Sequence, residues 1–546
     1  MSPSNHSVFL HSGVANYRPP QIWEEAAASG SDALKAHWES GKFVPLYSEA
    51  LLWTGFEKLV TDALANGVDL AKVKTINIAI AYPRELAEMT HDDVVEDFTR
   101  RLADSPHCHL FGERPKIRFT PTHAASASGM VPFNDAIADI LDRGEETSMV
   151  ITAANTKGTN RNRSRISAAA TTDIFASLIS PFDQKFTKAN MLKLGAAALG
   201  RVYQHNFDMI KALDRFSYDQ RLFTHELAQK NLSTAHITIH PDKIEDRTIF
   251  YPVKLMAIAP QSLGYAGLVL SRNPPAAERA VRVVGFGCGV DATSIRDRKS
   301  HLFSSAMESA MTTALRQAHI GDFTQLKILE HHNPFPAVPV TELGIILQTI
   351  GYKGSASDAL LKNDVGVNGK IIKAGRSGGA MSGHGITPTF VRLTFETFKE
   401  LMEIGGYPLL ESANDRVAYA GVSSVGGHHT FDGYVFLAGG KTEVVAKLES
   451  KLSSFDHDDA NGRVDRDLSE QTNLTAVNIP DGMMVVFISY REMGTGREYF
   501  GIARTPDGRD FPFLASPAHF ERLLALPYVG APIRISSTLQ AIESLK

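Results

Sequence analysis

The sequence predicts a layered α/β protein made of two similar halves, with a helical insertion in the first half and a strand-rich tail after the second. Three observations carry this reading. Strand-like and helix-like stretches alternate on both sides of residues 157–245, that interval itself reads as mostly helical, and beyond an acidic stretch the chain turns to short strands. At roughly 150 residues per domain, 546 residues suit three or four domain-sized units.

The elements follow in order. Leu52, Phe56, Leu59, Val60 and Ala63 keep helical spacing, and Gly67 stands where a helix stop is expected. Lys74 to Tyr82 carries Ile76, Ile78 and Ile80 in alternation and is closed by Pro83, which reads as a strand. Lys116 to Thr120 is a strand, Gly129 to Arg143 a helix ended by Gly144, and Ser148 to Ala153 a strand. The insertion holds helices at Met191 to Ile210 and Gln220 to Lys230. The pattern resumes with a strand at Val281, a helix over Phe303 to Gln317, a strand at Leu326 to Glu330 and a helix near Val340 to Ile350. Arg416 to Ser424 and Tyr434 to Leu437 are two further strands. Asp456 to Glu470 has six acidic and two basic residues with no apolar period, as a solvated linker should. An EF-hand is not expected there because the aspartate spacing, glycine and terminal glutamate do not line up. The tail predicts strands at Met483 to Tyr490, Glu498 to Arg504, Phe511 to Leu514 and Pro532 to Ile535. A turn at Pro506 to Gly508 and a short helix at Pro517 to Leu526 complete a small barrel of about OB-fold size. The expected domains are 1–270 with the insertion 157–245, 271–440, a linker 441–470, and 471–546.

Composition narrows the function. With 56 basic and 60 acidic residues the net charge is −4, which argues against a generally basic nucleic-acid binder. Apolar runs such as the one at Met483 to Ile488 fall far short of the roughly 20 residues of a membrane helix. The N-terminus has neither a basic start nor an apolar core, so no secretory signal is expected and the cytoplasm is the expected compartment. Cys108 and Cys288 are the two cysteines, too few for a disulfide framework or a cysteine-built metal cage. Covalent chemistry then falls to Ser, His or Lys.

Four segments offer that chemistry. Ser126 lies between a predicted strand and a predicted helix, where free backbone N–H groups favour developing negative charge. Ser128 with Pro132 in the first turn also reads as an ordinary N-cap. His331 and His332 end a strand, His384 closes the glycine-rich stretch Ser377 to Gly385, and His428 and His429 join two strands after Ser424. Loops at the sheet edge of α/β proteins line the ligand crevice. Each histidine pair on a strand can turn only one ring toward a site, so zinc is not expected and acid–base work is.

In this order the segments resemble the motifs of the thiolase superfamily. Ser126-Ala127-Ser128-Gly129-Met130 is similar to its nucleophile motif Cys-Ala-Ser-Gly-Met, and His332-Asn333-Pro334-Phe335 to the motif His-Glu-Ala-Phe. The stretch from Gly378 to His384 resembles Gly-Gly-Ala-Ile-Ala-x-Gly-His-Pro, one residue shorter and with Gly385 for proline. Ser424-Val425-Gly426-Gly427-His428 resembles Cys-x-Gly-Gly-Gly. Gly195 to Tyr203 and Gln229 to Ala235 look like the loop domain of sterol-carrier-type thiolases. The resemblance spans residues 8 to 440, and the tail around Gly501 to Gly508 is similar to the OB-like extension of thiolase-like type 1 proteins, often named acetyl-CoA acetyltransferases.

The resemblance implies a duplicated thiolase fold of two stacked α/β halves, with coenzyme A thioesters as substrates, no tightly bound cofactor, and room for a homodimer through the thiolase core. It places Ser126 at the nucleophile position, His332 in an oxyanion hole, and Ser424 at the position of the acid/base cysteine. Both family cysteines are serine here, and a serine hydroxyl needs an adjacent base to attack a thioester. His384 is the natural base for Ser126, and His428 the second acid/base. Lys157, Arg161, Arg163 and Arg165 are four cations within nine residues, suited to the phosphates of coenzyme A. Three functions remain open: an acyl-CoA acyltransferase using Ser126, a carbon–carbon lyase of retro-aldol or retro-Claisen type, and a non-catalytic acyl-CoA-binding protein.

Overall fold

The computed structural model describes residues 7–17, 48–81, 91–120, 124–155, 193–194, 196, 207–230, 240–245, 247–298, 304–320, 326–335, 337–349, 364–367, 370–375, 377–403, 417–454, 482–493, 496–525, 529–535 and 542–545. The first half contains β1 (Val8–Asn16), α1 (Ser48–Ala65), β2 (Val73–Ala81), α2 (His91–Asp104), β3 (Lys116–Thr120), α3 (Met130–Leu141) and β4 (Thr147–Asn155). After the insertion helix α4 (Phe207–Gln229) and the small hairpin β5 (Thr248–Phe250) and β6 (Val253–Lys254), the half closes with β7 (Leu263–Ser271). The second half runs β8 (Arg279–Val290), α5 (Ser305–Ala318), β9 (Leu326–Glu330), α6 (Ala337–Thr349), β10 (Asp364–Val367), β11 (Lys370–Ala374), α7 (Pro388–Leu401), β12 (Ala418–Gly426) and β13 (Phe431–Lys441), followed by the single turn α8 (Thr442–Val445).

The duplication is visible in the strand order. The first half reads β3-β2-β4-β7-β1 and the second β11-β9-β12-β13-β8, with β10 added at its outer edge. The sense of each pairing repeats as well: β2 is parallel to β3 and β4 as β9 is to β11 and β12, while β7 and β13 run antiparallel to both of their neighbours. The halves are not wholly separate sheets. Val8 to Leu10 pair antiparallel with Val281 to Val283, so one ladder of eleven strands passes from one half to the other.

Between the halves lie α3 and α7. Helix α7 packs on strands of both halves, and α3 on the strands of the first. Phe133 of α3 meets Phe390 of α7 edge to face, with ring centroids 5.5 Å apart. Burying one such ring stabilises the fold by about 1.5–3 kcal/mol. Helix α7 is buried almost all round although it carries Thr394 and Thr397, because each hydroxyl donates to the carbonyl one turn back, Phe390 and Leu393.

The C-terminal segment forms β14 (Met483–Met493), β15 (Gly496–Arg504), β16 (Asp510–Phe513), α9 (Pro517–Leu524), β17 (Pro532–Ile535) and β18 (Ile542–Leu545), in the order β16-β15-β14-β17-β18. Among the described residues these five strands form one sheet with no β16–β18 pairing. It is docked on both halves: Lys193, 2% exposed, pairs with Glu498 at 2.6 Å, the Tyr251 and Tyr490 rings stack at 5.4 Å, and Ile295 of the second half packs with Phe487, Phe500 and Ile502. The expected acidic linker 456–470 and most of the expected helix at Met191 to Ile210 lie outside the described residues.

Candidate active site

The duplication brings two equivalent turns together. In the first half β3 is followed by the 3-10 turn Ala125–Gly129 and then α3; in the second, β11 is followed by the 3-10 turn Gly379–Ser382 and then α7. Ser126 belongs to the first turn and His384 follows the second. Their side chains meet, with Ser126 Oγ 2.8 Å from His384 Nε2, across 258 residues of sequence. Ala125 has φ 44°, a left-handed conformation that costs an L-residue roughly 1–2 kcal/mol and turns the next side chain out of the helix path. The starts of α3 and α7 almost touch: a Cβ on Gly129 would lie 2.2 Å from the Thr387 carbonyl oxygen, so only glycine fits. Both helices thus point their positive ends at the pair. The N-cap reading of Ser128 is corrected here, because its hydroxyl accepts from the Ala124 N–H at 3.2 Å, holding the turn rather than the helix end.

His384 is fixed through its backbone, which donates to Pro260 O at 2.8 Å and accepts from Ser262 N at 3.1 Å. Burial, then the nearby Arg392 guanidinium, push its imidazole down to about 4. It is therefore neutral near pH 7, and with its proton on Nδ1 it presents Nε2 as acceptor to the Ser126 hydroxyl. Arg392 is fully buried, donating to Ser382 Oγ at 2.7 Å and to Gly379 O, with its guanidinium over the Tyr17 ring.

His332 leaves the end of β9 with its ring centroid 5.2 Å from that of His384. Its N–H donates to Ser423 Oγ at 2.8 Å, and Ser423 in turn donates to the buried Glu342 at 2.9 Å. Burial first, then His384, His429, Arg392 and His331, hold the His332 ring well below the ordinary histidine range. Among the described residues neither of its ring nitrogens has a hydrogen-bond partner. Asn333 ties this loop to the glycine-rich turn by accepting from Met381 N at 3.3 Å. Glu330, pushed up to about 7 by burial, accepts from Ser377 Oγ at 2.7 Å and anchors the other end of that turn.

Ser424 lies on β12, fully buried, and its hydroxyl donates to the Ser126 carbonyl oxygen at 3.2 Å. Ser126, His332, His384 and Ser424 therefore converge. His428 is buried in the turn between β12 and β13, where its carbonyl accepts from Arg298. Lys157, Arg161, Arg163 and Arg165 lie outside the described residues. Cys288 is buried in β8 with its thiol pushed up by burial, and Cys108 is exposed outside the site. Sequence reasoning missed Ser423, Glu342 and Arg392. No spacing links Ser423 to Glu342, and Arg392 sits in a helix whose polar residues look solvent-facing until strands of both halves cover them. Among the described residues no group of His, Cys, Asp or Glu is arranged to hold a metal, and no helix is long and apolar enough to cross a membrane.

No family model and no curated protein matches the chain by sequence. Solved structures do match. A monomeric SCP2-thiolase like protein type 1 from Mycobacterium smegmatis superposes with a TM-score of 0.62 at 13% identity, covering 98% of each chain. Human mitochondrial 3-ketoacyl-CoA thiolase in complex with CoA gives 0.51 at 12% identity, over 80% of this chain and 98% of that one. An acetyl-CoA acetyltransferase from Syntrophomonas wolfei gives 0.52 at 12% identity, over 79% of this chain and 99% of that one. At such identities the likeness speaks for the backbone, and it agrees with the repeated strand order and the paired central helices. The protein has the thiolase fold.

Proposed function

We propose that the protein is a thiolase-like acyltransferase that takes acyl-CoA thioesters and carries the acyl group on Ser126. The observation that supports this best is the contact between Ser126 Oγ and a neutral, buried His384 at 2.8 Å. In the proposed step Ser126 Oγ attacks the thioester carbon while His384 Nε2 takes the hydroxyl proton. Collapse of the tetrahedral intermediate breaks the C–S bond, and the proton on His384 goes to the departing thiolate of CoA. A His332 ring whose nitrogens have no hydrogen-bond partner among the described residues stands beside this pair and is suited to donate to the thioester oxygen as it gains charge. Intact-mass measurement after incubation with a panel of acyl-CoA thioesters tests the reading: it predicts a gain of one acyl group on the chain, lost on Ser126→Ala.

The low position of His384 sets a pH dependence. A base with an ordinary value would lose activity as pH falls through about 6.5. With its value at about 4, single-turnover acylation should show no protonation break near 6.5 and decline only toward pH 4. A stopped-flow profile of CoA release between pH 8 and 5 checks this, and a fall centred near 6.5 would show a solvated His384. The matching stability term has the same sign: this histidine binds a proton more readily unfolded than folded, so its contribution is full above about 6.5 and shrinks as pH falls toward 4.

For the rest of CoA we propose a cleft between the insertion and the first half. Supporting it is a cavity of about 550 Å³ lined by Asp214, Arg215 and Tyr218 of α4, by Asp242, and by Lys254 and Ala257 of the segment that follows. This volume is within the usual range for small-molecule sites. Ala257 stands three residues before Pro260, whose carbonyl holds His384. The cluster from Lys157 to Arg165 at the start of the insertion is assigned to the phosphates. Reversing Arg161 and Arg163 to glutamate should weaken CoA binding about tenfold and reduce its salt dependence. Titration calorimetry at two salt concentrations measures this, and unchanged affinity would remove the cluster from the site.

A further inference from the structure

The turn that carries His428 holds a second histidine with a different setting. His429 has φ 56°, left-handed, and is 3% exposed. Its Nδ1 lies 2.8 Å from Oδ2 of the fully buried Asp432, and the same oxygen accepts from Ser304 Oγ at 2.7 Å. A carboxylate bonded at Nδ1 fixes the proton there and leaves Nε2 as the basic nitrogen. Among the described residues Nε2 has no hydrogen-bond partner. The turn abuts the nucleophile segment: a Cβ on Gly426 would lie 2.4 Å from the Ala124 carbonyl oxygen and 3.1 Å from Ala127 Cβ. Arg298 bonds to the His428 carbonyl and to Thr430 Oγ1, holding the turn from outside. Ser424, by contrast, has its hydroxyl engaged with a backbone carbonyl.

Moving an acyl group onto carbon requires a base that makes a carbanion from a second thioester, and His384 Nε2 is already hydrogen-bonded to Ser126 Oγ. We infer that His429, oriented by Asp432, is the catalytic acid/base that takes the α-proton of an acyl-CoA. This rests on the acyl-CoA reading above but not on Ser126 as nucleophile. The α C–H bond breaks, its electron pair delocalises onto the thioester oxygen as an enolate, and the proton passes to Nε2. His429 becomes an imidazolium facing the Asp432 carboxylate. In the reverse direction the same proton returns to carbon. Coulombic interaction between His429 and His332 puts the two rings in one electrostatic neighbourhood, consistent with His332 meeting the enolate oxygen.

The test is exchange of the α-protons of acetyl-CoA in D2O, followed by NMR with the full chain. Wild type should exchange well above the buffer rate, and His429→Gln should lose on the order of a hundredfold of it, the usual scale for a lost general base. Asp432→Asn should lose about tenfold, with melting curves reporting whether either variant has unfolded. If His429→Gln does not fold, Asp432→Asn decides. No exchange in wild type, or exchange at the wild-type rate in either folded variant, overturns the assignment. Intact mass on the wild type separates the two readings: exchange without an adduct removes Ser126 and leaves His429, and an adduct without exchange does the reverse.

Discussion

Ser126→Ala is expected to abolish the acyl adduct, and His384→Ala to slow its formation by on the order of a hundredfold or more. The first change removes the only atom that can bond the acyl carbon in this mechanism. The second removes the nitrogen that accepts the Ser126 hydroxyl proton. Quench-flow with intact-mass detection gives both rates. A persistent adduct in Ser126→Ala would move the acyl group to another residue. Ser126→Cys is the complementary variant, since a thiol is a stronger nucleophile than a hydroxyl at neutral pH. If it gains an adduct while wild type shows none with any thioester, serine is not the nucleophile.

Gly287→Ala is expected to destabilise the fold by about 3 kcal/mol, the upper end of what an inserted methyl usually costs a packed core. Gly285, Gly287 and Gly289 share one face of β8, and a Cβ on each would lie 2.0, 2.1 and 2.0 Å from the carbonyl oxygens of Ala314, Ala310 and Ala306 on α5. The match is geometric. Four helical residues rise about 6 Å and two strand residues about 6.8 Å, so a glycine at every second strand position meets an alanine at every fourth helix position. The obstacle is backbone, which no rotamer can clear. Chemical denaturation of the variant measures the loss, and a near-neutral result would show that α5 can lift from the sheet.

Much of the fold was legible because many elements obey a local rule. Lys116 to Thr120, Leu326 to Glu330 and Pro532 to Ile535 were read with the boundaries they have, and Gly67 and Gly144, at φ 72° and 75°, stop their helices as expected. What escaped was β1 and β7, the antiparallel strands at the centre of the first half. Leu263 to Ser271 is buried along its whole length, so it shows no polar-apolar alternation, and Val8 to Asn16 is interrupted by a register shift between Leu10 and Ser12. Without these strands the repeat could be proposed but its order could not be written.

For the site the division is similar. The sequence by itself determined which chemistry is available: two serines where the resembled family has cysteines, histidines on glycine-bordered turns, and neither Cys108 nor Cys288 in a motif that could replace them. It also determined that each group ends a strand or opens a helix. Only the tertiary structure decided that Ser126 and His384 touch, because that contact comes from stacking two copies of one strand-turn-helix unit across α3 and α7. It alone set apart the adjacent residues His428 and His429, giving Asp432 to the second. Protonation was likewise a tertiary matter, since His384 is lowered by desolvation and by Arg392, and the desolvation arises when the two halves pack around the helices. Local sequence encodes conformation through short-range sterics, whereas contact across 258 residues and the loss of water around a charge exist only after the halves have packed.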